Sequence, residues 1–93
     1  ARARRGHLVV HLHPEVTSAA PHVGLIVGKA VGGSVVRHQV SRRLRAELAH
    51  RLQRLPEHSG AVVRALPGAG RATSSDIAAD LDAALDRLVG SPR

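Results

Sequence analysis

Arg37, Arg42, Arg43 and Arg45 crowd the stretch GGSVVRHQVSRRLRAEL, which runs from Gly32 to Leu48. Guanidinium groups are poor general bases, but their planar forks bind phosphate oxygens in pairs and stack on bases or sugars. Their spacing therefore points to polyanion recognition and not to bond-breaking chemistry. Between them stand Val35, Val36, Val40, Leu44 and Leu48. A solvated tail has no use for such aliphatics, and an ordinary core helix has no use for such arginines. On a helix advancing about 100° per residue, His38, Arg42 and Arg45 fall within about 60° of one another. Ala49 extends that face, Leu44, Leu48 and Leu55 lie on an adjacent one, and Arg43 points to a different side. The pattern predicts a helix that buries one side against a sheet and presents a fixed guanidinium row on another. Glu47 is the one acid within it.

Other candidate groups add to the binding reading and subtract from a catalytic one. The turn GKAVGGS places Lys29 and Gly33 just ahead of the arginine helix. A glycine-rich entry to a helix leaves backbone N–H groups pointing outward, where an anion can meet them. Lys29 precedes the Gly32-Gly33 pair, so this is not a nucleotide-binding loop of the G-x-x-x-x-G-K-[ST] type. Turn and helix read as one continuous anion-binding surface. His7, His11 and His13 share one face of an alternating run with Val9. Alternating strand residues are only about 7 Å apart and no carboxylate or cysteine completes a set, so no protein metal site is expected. Asp76, Asp80, Asp82 and Asp86 lie on one later helix, where capping and solubility are their expected roles. No nucleophile–base pair stands out, so no catalytic residue is expected.

The whole composition supports a polyanionic partner. The chain of 93 residues carries a formal net charge of +7 and a sequence pI near 11.8. Residues 1–54 hold ten Lys/Arg against Glu15 and Glu47, a net of +8, whereas residues 55–93 hold four Arg against five acids, a net of −1. Such asymmetry favours nucleic acid over a generic soluble surface. There is no Phe, Tyr or Trp, so bases cannot stack on aromatic side chains and arginine or histidine planes would have to substitute. Recognition of backbone and shape is expected over sequence-specific reading of unpaired bases. The absence of cysteine removes disulfides and thiolate chemistry. No apolar run approaches the roughly 20 residues of a membrane span and no secretory signal is visible, which makes the cytoplasm the expected compartment.

The elements that must position these groups follow from periodicity. HLVVHLH at 7–13 alternates as a strand ended by Pro14, and residues 15–21 form a polar connection. HVGLIVG at 22–28 reads as a second, more fully buried strand. Val36, Val40, Leu44, Leu48, Leu52 and Leu55 then recur at helical spacing from Val35 to Leu55, stopped by Pro56. GAVVRALP at 60–67 is a third strand. Ser74 or Ser75 caps a last helix with the stripe Ile77, Leu81, Leu85 and Leu88, closed by Gly90 and Pro92. The order β-β-α-β-α predicts an α/β sandwich, with helices on a small sheet of about three to four strands, in one RNA-binding domain over residues 1–93.

VGLIVGKAVGGSVVRHQVSRRLR, from Val23 to Arg45, resembles the signature region of the bacterial ribonuclease P protein subunit. That family carries a strand, a glycine-containing turn and a helix with the pattern R-N-x-x-K-R-x-x-R. Arg37 matches its first arginine, Arg42 the arginine of the K-R pair and Arg45 the last. His38 stands where asparagine is usual and Ser41 where lysine is usual, with Arg43 adding a charge next door. VVRALP at 62–67 and the helix after it resemble the family's last strand and C-terminal helix. The resemblance implies an α+β fold with a left-handed β-α-β crossover, against the usual right-handed rule. It implies an RNA surface at Lys29, Gly33, Arg37, His38, Arg42, Arg43 and Arg45, and a leader-binding sheet face at His7, Val9, His11 and His13. The implied partners are ribonuclease P RNA and precursor tRNA, with no membrane. The RNA subunit and its magnesium ions would remove the 5′ leader, and the protein would bind no cofactor itself. The family's basic N-terminal helix has no counterpart expected in ARARRGHLVV. A ribosomal or other basic structured-RNA-binding protein is the alternative. A DNA-binding regulator would instead follow helix with helix.

Overall fold

Alternation of inward and outward side chains builds a sheet with one strand more than the three read from the sequence. The computed structural model describes residues 1–13 and 22–90. The connection expected at 15–21 and the Pro92 stop lie outside the described residues. The strands are β1 (Arg2–Arg5), β2 (Leu8–His13), β3 (His22–Ile26) and β4 (Gly60–Ala65), and the helices are α1 (Ser34–Ala49) and α2 (Ser74–Val89). The sheet order is β1-β2-β4-β3, with β3 and β4 parallel and the other pairs antiparallel. Both helices pack on one face, where Leu8, Val10 and Val63 from the sheet meet Val40, Leu44, Ile77 and Leu81 from the helices. This is a mixed α+β fold, as the sequence indicated.

β1 has no apolar signature, which is why the sequence concealed it. Of its residues RARR, only Ala3 is buried, opposite Val10. The first alternating strand accordingly begins at Leu8 and not at His7. Gly6 and His7 form a two-residue hairpin turn, with glycine at φ +54° in its first central position. A Cβ on Gly6 would collide with the Asp80 carboxylate. β3 also departs from expectation: it is an edge strand, alternately half-buried and exposed, and not a fully buried one. Val23 and Leu25 face the helices, while Ile26 faces away and is 51% exposed. Its apolar run reflects one covered face plus an apolar residue left on the open side.

The helical period of 35–55 overstates the helix. α1 ends at Ala49, and a separate 3-10 turn covers Leu52–Arg54. Leu52 is 42% exposed, and Leu55 packs in a second small cluster with Ala61 and Leu85. The tightened chain brings Arg51 and Arg54 onto α2. Arg51 donates to both oxygens of Asp82 at 2.7 and 3.2 Å and to Glu47 Oε1 at 3.2 Å. Arg54 donates to Asp86 Oδ1 at 2.6 Å and to Asp82 Oδ1 at 3.4 Å. Hydrogen bonding and charge from Arg51 hold the Asp82 carboxyl below its ordinary value, and Asp82 in turn raises Arg51. The α2 carboxylates therefore brace α1, where the sequence suggested only capping and solubility.

Asp76 alone has the capping role, and its partner is Thr73 in place of Ser74 or Ser75. Thr73 Oγ1 accepts the Asp76 N–H at 3.0 Å, and the Asp76 carboxylate accepts the Thr73 N–H at 2.9 Å. A reciprocal box needs an acceptor three residues after the cap. Ser74 and Ser75 would place Ile77 and Ala78 there, whereas Thr73 places Asp76. Leu88, the last member of the predicted stripe, is half-buried, and Ala84 is fully buried beside Leu81 and Leu85.

Leu44 is fully buried where α1 meets the sheet. Leu44→Ala should cost about 3 kcal/mol in urea unfolding through lost burial and a residual cavity. The brace carries a pH signature. Because Asp82 titrates below its usual 3.8 in the fold, its contribution is complete above that value and drains as pH falls through the folded one. Asp82→Asn should flatten this acid limb of the stability curve, and an unaltered limb would show that the brace contributes nothing.

Candidate nucleic-acid interface

The row predicted on α1 forms. His38, Arg42 and Arg45 are all exposed, as is Ala49, on the side of the helix opposite Val40 and Leu44. Arg45 borders a hollow with Val23, Leu25, Leu48, Ala49 and Leu52, while Arg42 and Arg43 border another with Gln39, Ala46 and Ser74. Arg43 turns toward α2 and donates from Nη1 to the Ala72 carbonyl at 3.0 Å. It is half-buried, so it stands partly apart from the row. Arg37 is half-buried too, and its Nε is shielded from solvent with no acceptor among the described residues. Lys29 is exposed in a 3-10 turn at Lys29–Val31, one turn of chain before the helix.

The two helix N-termini differ in a way that matters for anions. Thr73 and Asp76 satisfy the first N–H groups of α2. α1 starts from exposed Gly33 with no side-chain cap and no acid in its first turn. Its leading N–H groups and positive dipole end are thus available beside Lys29 and ahead of the arginine row. Gly32 makes the entry possible at φ +155°, and a Cβ there would press to 2.9 Å from Val36.

A second basic surface lies on the sheet face away from the helices. Pairing aligns Arg4, Val9, Arg64 and Ile26 in one row across the strands, and Arg2, His11, Val62 and Gly24 in the next. His13, Gly60 and His22 make the third. Arg2, Arg4, His13, His22 and Arg64 are exposed, and none of the residues on this face is acidic. Three of the four residues read from the sequence, Val9, His11 and His13, belong to it. His7 does not. It sits in the hairpin turn on the helix side, where its backbone N–H and its Nδ1 both meet Asp80 Oδ2, at 3.0 and 3.2 Å. Arg2, Arg4 and Arg64 were missed. Arg64 follows Val62 by two in VVRAL, which was enough to place it on the outward face, whereas Arg2 and Arg4 required recognising β1.

Among the described residues, no group of three or more His, Cys, Asp or Glu converges as a metal site. Each Asp of α2 is engaged elsewhere: Asp76 with Thr73, Asp80 with His7, Asp82 with Arg51 and Asp86 with Arg54. No helix among the described residues is long and apolar enough to cross a membrane. The surfaces bind; they do not offer acid–base or metal chemistry.

Known proteins place this arrangement in a family. The Ribonuclease P family model matches residues 1–89. The ribonuclease P protein component of Streptomyces bikiniensis is 55% identical over 97 residues, covering 96% of this chain and 79% of that protein. That of Corynebacterium diphtheriae is 44% identical over 93 residues, covering 94% and 78%. In fold, the chain is similar to the RNase P protein of Staphylococcus aureus, with a TM-score of 0.82 at 20% identity, covering 95% of this chain and 80% of that one. With basic surfaces on α1 and the open sheet, and with relatives this similar over nearly its whole length, the chain belongs to the ribonuclease P protein family.

Proposed function

We propose that α1 and its entry turn bind the RNA subunit of ribonuclease P, and that the open sheet face takes the single-stranded 5′ leader of precursor tRNA. The family is the protein component of an endoribonuclease that acts in tRNA 5′ processing, with the RNA subunit and precursor tRNA as partners. One observation supports the placement above the rest. His38, Arg42 and Arg45 stand exposed together, while the α2 carboxylates are committed to Arg51, Arg54 and His7. Arg37, with its shielded Nε lacking an acceptor, and Lys29 beside the uncapped N-terminus extend the surface toward the turn. In this reading the chemistry belongs to the RNA. Magnesium held with the RNA supplies the metal activation of a phosphodiester, and the chain's own residues bind and orient. The complex works in the cytoplasm.

Two outcomes test the reading. Each phosphate contact removed lowers the salt slope of log K by roughly 0.7–0.9. Arg42→Ala combined with Arg45→Ala should flatten the slope for ribonuclease P RNA by one to two units, by roughly that same per-contact value, while the fold stays intact. Arg43→Ala should change the slope less, because its Nη1 is held by the Ala72 carbonyl. An unchanged slope in the double variant would place the RNA site elsewhere. Protein incubated with precursor tRNA and magnesium, without the RNA subunit, should leave the substrate uncut. Cleavage abolished by changing a side chain of this protein would overturn the division of labour.

A further inference from the structure

His11 and His13 hold their imidazole rings nearly parallel, 7° apart in plane, with centroids separated by 6.4 Å. That separation is too wide for the two rings to touch. Stacked bases rise by about 3.4 Å per step, so a base between two flat rings needs roughly twice that spacing. The strand supplies it, because side chains two residues apart on one face lie about 6.6–6.8 Å from each other. Neighbouring strands leave the slot open. His13 is opposite Gly60, which has no side chain, and His11 is opposite Val62 on one side and Arg2 on the other. Arg4 and Arg64 flank Val9 one row along, where phosphates of a bound strand can reach them.

We propose that His11 and His13 grip one unpaired base of the bound RNA between their rings, and that gripping it takes up a proton. This rests on the reading that the open sheet face receives single-stranded leader. The charged groups facing the pair are Arg2 and Arg4 from β1, Arg64 from β4 and His22 from β3. The Ala1 amino group donates to the Leu12 carbonyl at the same edge, 3.2 Å away. Among the described residues, no carboxylate stands on this face to favour the imidazolium in the free protein. An RNA strand brings the missing negative charge. Histidine changes charge between pH 5 and 8, so binding that stabilises the imidazolium strengthens as pH falls. A chain without Phe, Tyr or Trp thereby obtains a stacking site, and one whose grip follows pH.

The test uses the protein assembled with ribonuclease P RNA and a precursor tRNA whose scissile linkage is blocked. Removing single bases along the leader, one abasic position at a time, should reveal one position where affinity drops about tenfold. His11→Ala with His13→Ala should erase that position's penalty. His11→Phe with His13→Phe should keep the penalty and lose the pH dependence, whereas the natural protein should bind several-fold tighter at about pH 5.5 than at about pH 7.5. A penalty of equal size in the double-Ala variant overturns the grip. Persistence of the pH dependence in the double-Phe variant overturns the proton uptake. Leader affinity unchanged by Arg4→Ala with Arg64→Ala overturns the underlying open-face reading, independently of the histidines.

Discussion

Val40, Leu44 and Leu48, packed under the sheet and beside α2, decide where every charge on α1 points. The apolar stripe is buried on one side of a helix that turns about 100° per residue, so its register dictates the side on which Arg42 and Arg45 emerge. A row of arginines on a free helix would spread over many rotations and pay in entropy for each phosphate it gathered. Pinned to a core, it presents the same charges with the rotation already fixed, and only side-chain freedom remains to be lost.

Charge is sorted as carefully as apolar surface. The acids of α2 face α1 and the β1–β2 turn, where they meet Arg51, Arg54 and His7. This pairing stabilises the helix–helix contact modestly, since Asp82 and Asp86 are about half-exposed and solvent screens them. Its larger consequence is spatial. The arginines near the end of α1 are neutralised, while those in its middle and those on the open sheet are not. The molecule thus offers two basic surfaces with different characters: a convex helical row suited to the backbone of structured RNA, and a flatter sheet face that mixes arginine, histidine and valine and suits a single strand.

Much of this was legible in the residues. The alternation of Leu8, Val10 and Leu12, the spacing of Val40, Leu44 and Leu48, and the isolation of Arg42 and Arg45 from acids all have the meaning that their periods suggest. What the sequence hid was tertiary in origin. β1 is a strand because it pairs with β2, and its arginines disguise it because a strand at a sheet edge with one open face needs only one inward residue. α1 stops before Leu52 although the apolar period continues, because the chain gains ion pairs to α2 by tightening. His7 leaves the strand face for Asp80, a partner 73 residues away that no local pattern reveals.

Because the chain contains no cysteine, a single introduced thiol can report where RNA lies. A tethered iron chelate that generates hydroxyl radicals, attached through Ala49→Cys on the exposed row or Ala79→Cys on the exposed side of α2, would map proximity in the assembled complex. The account predicts localised cuts in ribonuclease P RNA from position 49 and none above background from position 79. Cutting from 79 with silence at 49 would contradict it.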